Sequence, residues 1–228
     1  QLAGCEAPLA MEELFMENRM IKLRAKGTNS VTLKVIPGHF ATNHSHINYY
    51  IDITTLKTRE SEAMAVAKNL VQKYVSTTIV DTIVCLDGTQ VVGAYLAQEL
   101  TRTGFMSINS HQTIYVVTPE YNSNSQMIFR DNLQPMIRGK HVLLLMASVT
   151  TGLTINKAIE AILYYGGTVA GISAIFSAID EVNDYHINAV FRKDDVPDYQ
   201  SFNYHKCPMC KAGQPIEALV NGFGYSKL

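Results

Sequence analysis

The residues with the clearest chemical potential in this 228-residue chain read HVLLLMASVTTG over positions 141–152 and continue into Leu153 and Thr154. Val142, Leu143, Leu144 and Leu145 form the unbroken apolar run expected of a strand buried on both faces, as in a parallel sheet. Ser148, Val149, Thr150, Thr151, Gly152, Leu153 and Thr154 then lead into a helical pattern. A hydroxyl-rich turn between a buried strand and a helix start suits a phosphate. Backbone N–H groups and the positive end of the helix dipole face the anion, and threonine hydroxyls add donors. Ile155, Ala158, Ile159, Ile162 and Leu163 recur at i, i+3, i+4, i+7 and i+8, a stripe whose burial would fix the turn. By local sequence the same residues read equally well as an ordinary helix N-cap.

Other side chains could also do chemistry. Cys207 and Cys210 have the spacing of half a zinc site, with His205 close by. The missing ligands would come from Cys5, His205 or a second copy of the chain; the alternative is a packed or redox-active thiol pair. His39, His44 and His46 lie in an Asn- and Ser-flanked stretch and read as solvated or hydrogen-bonded rather than metal-ligating. Asp194 and Asp195, between basic residues and a proline, read as a solvated turn. Tyr49, Tyr50, Tyr164 and Tyr165 could stack a base, cover a dimer face or simply pack. Cys85 reads as a buried core thiol. Four scattered cysteines make no disulfide framework, so a reducing, cytoplasmic setting is expected.

The elements that must position these groups alternate along the chain. The pattern predicts a helix over 6–26, strands over 31–36 and 47–53 joined by Pro37, Gly38 and a His/Asn/Ser loop, and a helix over 58–74. A strand over 82–86 enters the turn Asp87, Gly88, Thr89, and a helix over 91–102 follows. Next come a strand over 113–117, a polar loop over 119–125, the strand at 142–145, a helix over 154–165 and a strand over 168–179. This order specifies an α/β fold: a mainly parallel sheet flanked by helices, with ligands at the strand carboxyl ends.

Composition narrows the function classes. With 19 basic and 20 acidic residues, a net charge of −1 and no basic block, a nucleic-acid surface has no electrostatic support. No apolar run approaches the ~18–20 residues of a membrane span, and QLAGCEAPLAMEEL lacks the basic and apolar regions of a signal peptide. No GxGxxG or Walker pattern occurs, which argues against dinucleotide and NTPase sites.

Several segments together resemble the type I phosphoribosyltransferases, most closely the orotate enzymes. The apolar strand ending in Thr150-Thr151-Gly152 is similar to that family's phosphoribosyl-pyrophosphate loop. PGHFATNHSHINYYIDITTL at 37–56, with Tyr49-Tyr50-Ile51-Asp52, resembles its N-terminal hood. Cys85-Leu86-Asp87-Gly88-Thr89 stands where its pyrophosphate loop belongs, and CPMCKAGQPIE at 207–217 resembles a C-terminal signature of some members. The resemblance covers roughly residues 30–217 in the family's order. It implies an N-terminal helix and hood over 1–57, a phosphoribosyltransferase-like core over 58–190 and a C-terminal CxxC segment over 191–228. It also implies Mg²⁺, phosphoribosyl pyrophosphate or a nucleoside monophosphate as ligand, a place in pyrimidine biosynthesis and a homodimer. Ser148–Thr154 would hold the 5′-phosphate, Asp87, Gly88 and Thr89 would line the diphosphate side, and Asp180 and Glu181 would lie on the base side.

The departures from the family pattern share one character. Met146 and Ala147 replace the acidic pair that hydrogen-bonds the ribose hydroxyls, and such charge-assisted bonds are worth roughly 1.5–3 kcal/mol apiece. The segment TPEYNSNSQ at 118–126, the counterpart of the mobile catalytic loop, has no basic residue, and neither does 86–91. Glu181 replaces the arginine that holds orotate's carboxylate, so orotate would be repelled. The expectation is a phosphoribosyltransferase-like protein that binds a phosphorylated ribose or nucleotide, with transferase activity weak, altered or lost. The alternatives are a non-catalytic ligand-sensing regulator or dimeric assembly protein, and an enzyme that draws cations such as Arg130, Arg138 or Lys140 across a dimer interface.

Overall fold

The computed structural model describes residues 18–26, 30–102, 107–110, 112–124 and 126–228. The chain enters through β1 (Ile21–Arg24), β2 (Thr32–Ala41) and β3 (His46–Asp52), an antiparallel meander. Most of the helix expected over 6–26 lies outside the described residues, and its described end is a strand, because Ile21–Arg24 pairs residue for residue with Thr32–Val35. Pro37 and Gly38 do not end β2. They form an irregularity within it, where pairing shifts between Pro37 and Phe40, since a proline lacks the N–H that a regular ladder needs.

The helix expected over 58–74 divides into α1 (Thr54–Thr58), α2 (Glu60–Leu70) and a 3₁₀ turn, because Arg59 is extended (φ −86°, ψ 122°). Ala63, Val66, Ala67 and Leu70 of α2 are buried against the sheet, the helical spacing the sequence shows. The core then follows as β4 (Thr82–Cys85), α3 (Gln90–Thr101), β5 (Tyr115–Val117), the hairpin β6 (Glu120–Tyr121) and β7 (Met127–Ile128), β8 (His141–Val149), α4 (Leu153–Tyr164), β9 (Thr168–Ser177), β10 (Glu181–Val182) and β11 (Tyr185–Arg192). The segment expected as a polar loop over 119–125 is thus largely the β6–β7 hairpin.

The core strands lie in the order β10, β11, β9, β8, β4, β5, all parallel neighbours except the β10–β11 hairpin. One hydrophobic cluster, with α2 and α3, covers one face, and a second, with α4, covers the other. Both faces being covered explains why residues 142–147 are all buried and why the strand reads as a continuous apolar run. The stripe on α4 buries Ile155, Ala158, Ile159 and Ile162; Leu163, expected to complete it, is 54% exposed, and Ala161 is buried instead. From β4 the chain moves outward to β5, then crosses to β8 on β4's other side and continues outward to β9. The sheet's topological switch point therefore lies between the carboxyl ends of β4 and β8, where a doubly wound sheet opens a crevice.

Residues beyond 191 return to the hood. Here β12 (Ser201–Phe202) pairs with β3, and β13 (Ala218–Asn221), parallel to β2, turns back into β14 (Gly224–Lys227). One six-stranded hood sheet thus joins both ends of the described chain, with the short helix α5 (Pro208–Lys211) beside it.

Candidate functional site

The carboxyl ends of β4 and β8 open into a cavity of about 160 Å³. Met146, Ser148, Thr150 and Thr154 line its core side, Asp87 lines it from the loop after β4, and the hood covers it with Thr42, Asn43, His44, Tyr50 and residues 220–222. A second concavity continues from it around the turn, lined by His44, Met146 and every residue from Ser148 to Ile155. The sequence-marked turn therefore forms one wall of a cleft.

Its geometry follows from burial on both sides. β8 runs to Val149, further than the expected end at 145, so Met146, Ala147 and Ser148 are strand residues and the turn proper begins at Thr150. Gly152, the residue before α4, has φ 78°, and a Cβ there would stand 2.7 Å from Val182. Only glycine lets the chain turn into α4 while the 179–182 segment packs on it. The first-turn N–H groups of α4 have no acceptor within the helix. None of the hydroxyls of Ser148, Thr150, Thr151 and Thr154 bonds another described residue. Leu153 points outward at 45% exposure.

Opposite the turn, Asp87 has a left-handed backbone (φ 53°). Burial pushes its carboxyl above the ordinary value, against the opposing pull of the Lys57 charge and, more weakly, of the Ala147 backbone. Where the family pattern leads one to expect carboxylates on β8 itself, the carboxyl group in the cavity lining is instead Asp87, from the loop after β4. Thr89 is fully buried, and its hydroxyl donates to the carbonyls of Leu86 (2.8 Å) and Leu145 (3.2 Å), stitching the loop to β8 rather than facing the cavity. Gly88 is not among the cavity's lining residues; it lies beside Lys57 and Phe223.

Lys57 is the residue sequence reasoning missed. On α1 and 4% exposed, it donates to the Asp87 carbonyl (2.7 Å) and to the Gly222 carbonyl, and sits over the Phe223 ring at 5.2 Å. Burial lowers its pKa, opposed by Asp87 and Asp52. Its cue is faint: a lysine one turn after a strand ending in Asp52, in a stretch that otherwise reads as a solvated helix start. Gly222 lies so close to Asp87 that a Cβ on it would stand 2.5 Å from the carboxyl carbon. Tyr199, also lining the cavity, has a buried hydroxyl with no partner, and burial holds its pKa well above the ordinary phenol value.

At the hood's other side Cys207 and Cys210 meet His39 and His46, while His205 is exposed and packs on Tyr204; Cys5, the other expected ligand, lies outside the described residues. All four ligand atoms lie within 4.8 Å of one another, a set that can hold a metal ion. His39, expected to be solvated or hydrogen-bonded, is fully buried. Its Nδ1 donates to the Gln214 carbonyl at 2.9 Å. Burial first, then neighbouring His39, lower the pKa of His46.

No protein-family model matches the sequence. No curated protein matches it either. Among solved structures, the Leishmania donovani UMP synthase superposes with a TM-score of 0.52 over 70% of this chain, at 18% identity. The fold is that of the type I phosphoribosyltransferases. The chain covers 34% of that UMP synthase, about a third of its length. The orotate phosphoribosyltransferase of Aeropyrum pernix is similar over 70% of this chain and 88% of its own (18% identity, TM-score 0.49). The adenine phosphoribosyltransferase of Thermoanaerobacter pseudethanolicus is similar over 80% and 99% (14%, TM-score 0.47).

On this phosphoribosyltransferase fold the expected base-side pair does not reach the cavity. Asp180 is 72% exposed and accepts a 2.5 Å bond from Arg192, while Glu181 opens the edge strand β10 and lies 3.7 Å from His186. The hairpin β6–β7 places no basic group over the cleft, and the neighbouring Arg130 is held by Glu120 at 2.7 Å. Arg138 and Lys140 precede the amino end of β8, the end opposite the cavity. Among the described residues no helix is long and apolar enough to cross a membrane.

Proposed function

We propose that the protein binds the phosphorylated ribose of phosphoribosyl pyrophosphate or of a nucleoside monophosphate in the β4–β8 cleft. The 5′-phosphate lies on Ser148, Val149, Thr150, Thr151, Gly152, Leu153 and Thr154, and the diphosphate side is the loop Asp87, Gly88, Thr89, of which Asp87 alone lines the cavity. The observation that carries this reading is the row of unpartnered hydroxyls beside the free first turn of α4, at the sheet's switch point. The orphan hydroxyl of Tyr199 supports a polar ligand group on the hood side.

Transfer is weak, altered or lost in this reading. Displacing pyrophosphate needs positive charge at the leaving group. The cavity lining has no arginine or lysine, and the nearby cation, Lys57, is spent on two backbone carbonyls. Asp87 is the one carboxylate of the lining, so a Mg²⁺ would take its remaining ligands from diphosphate and water. A cavity lining without arginine or lysine among the described residues equally favours the second reading, a ligand-sensing regulator or assembly protein.

Calorimetric titration with phosphoribosyl pyrophosphate, with and without Mg²⁺, tests binding. Thr151→Val should weaken it severalfold, and an unchanged isotherm removes the phosphate turn from the site. A transferase assay across orotate, uracil and purine bases separates the two readings, since turnover with any base eliminates the regulator.

A further inference from the structure

We propose that His39, His46, Cys207 and Cys210 hold a structural zinc ion that fixes the two hood loops closing the cleft. A tetrahedral zinc with Zn–S ~2.3 Å and Zn–N ~2.0–2.1 Å places N···N and S···N edges at roughly 3.3 and 3.6 Å. Here His39 Nε2 and His46 Nδ1 are 3.1 Å apart. Cys207 Sγ and Cys210 Sγ lie 3.6 and 3.7 Å from His39 Nε2, and Cys210 Sγ lies 3.2 Å from His46 Nδ1. Two thiolates with two imidazoles select zinc over the oxygen-seeking Mg²⁺ and Ca²⁺, and four protein ligands leave no open position for substrate.

The surroundings are those of a ligating histidine. The Gln214 carbonyl can only accept, so the proton of His39 is on Nδ1 and the Nε2 lone pair is free to face the thiols. The Glu217 N–H donates to the His39 carbonyl (2.8 Å), and the Glu217 carboxylate accepts the His39 N–H (3.2 Å). These bonds tie the thiol-bearing segment to β2 on both sides of the histidine.

The same four residues stand at the roots of both covering loops. His39 and His46 flank the β2–β3 connection, in which Ser45 N–H donates to the Thr42 hydroxyl (2.9 Å) and Thr42, Asn43 and His44 line the cavity. Downstream of the cysteines, Ala218 pairs with Phe40 next to His39, and the strand delivers Val220, Asn221 and Gly222 to the cavity and to Lys57. A metal at the roots orders both loops. Only the loops' role in covering a ligand rests on the nucleotide-site reading.

The full-length protein purified without chelator should contain roughly one zinc per chain. Its Co²⁺-substituted form should show the intense visible bands of a tetrahedral thiolate site. Cys210→Ser, at an exposed position, should lose the metal. Stripping zinc should speed hydrogen exchange about tenfold or more in peptides spanning 40–46 and 218–224, with recovery on zinc addition. No bound zinc together with no tetrahedral Co²⁺ spectrum, or a Cys207–Cys210 disulfide in the purified protein, overturns the metal site. Bound zinc with unchanged exchange in both peptides overturns its hold on the loops. A protein that passes these tests yet binds no ribose 5-phosphate refutes the nucleotide-site reading and leaves the zinc site standing.

Discussion

At the end of β8 seven neighbouring residues, 148–154, make the turn proposed to hold a phosphate; at the hood's corner four side chains drawn from positions 39, 46, 207 and 210 make the cluster proposed to hold zinc. In that proposal the turn would work largely through backbone, since N–H groups at a helix start face an anion whatever the side chains, and glycine and threonine refine it. The cluster works through side-chain atoms alone, so its geometry depends on β2, β3 and the chain after β12 reaching the same corner. Lys57 connects the two regions. Its carbonyl partners are Asp87, across the cleft from the turn, and Gly222, in the turn between β13 and β14.

The hardest test of that connection is Lys57→Met. It keeps the stem but leaves two carbonyls without their donor, at ~1–3 kcal/mol for each buried unsatisfied group, so a loss of about 2–5 kcal/mol is expected. Urea denaturation reads it, and a loss below about 1 kcal/mol would mean that the lysine does not tie core to hood. Gly152→Ala should act on the turn alone. Forcing a Cβ onto a left-handed backbone and into Val182 costs roughly 1–3 kcal/mol. Ribose 5-phosphate binding should fall while zinc content stays unchanged; a fall in both would make the two regions one.

Smaller is the effect of Thr154→Val, which removes one hydroxyl from the anion's side. A neutral hydrogen bond of ~1 kcal/mol corresponds to a severalfold weaker dissociation constant by calorimetry, with stability unaltered. A reference distant from both regions is Asp81, at the amino end of β4. Burial raises its pKa, but the N–H and imidazole of His141 at 2.8 and 2.9 Å together outweigh that and hold it below the ordinary carboxylate value. A carboxyl with a depressed folded pKa contributes stability above its unfolded pKa and loses it as pH falls through the folded one. Wild type should therefore lose more stability than Asp81→Asn between pH 6 and pH 3, and equal losses would remove this ion pair from acid denaturation. Zinc content and ligand affinity of the variant should match wild type at pH 7.

The parallel core was legible because its evidence is local. Residues 142–147 are apolar without alternation because both faces are covered, and 155–162 carry the stripe of a core-facing helix. Errors gathered where pairing overrode local pattern. Ile21–Arg24 looks helical but is recruited by β2, and β2 continues through a proline and glycine that usually end a strand. The apparent loss of charge also changed meaning in space. Met146 and Ala147 carry no acid, yet Asp87 brings a carboxyl group into the cleft from the loop after β4. Asp180 and Glu181, placed on the base side by register, face Arg192 and His186 instead, because the chain beyond β9 folds into an edge hairpin.

The sequence by itself determined the parallel sheet, the helix behind the turn and the hydroxyls at 148–154, because each depends on residues within a few positions of one another. Tertiary structure alone decided that Lys57 is buried between two carbonyls, that Gly222 closes on Asp87, and that His39 and His46 meet the cysteine pair. Those contacts join residues about 30 to 170 positions apart, and only a hood sheet made from both ends of the described chain brings them within bonding distance.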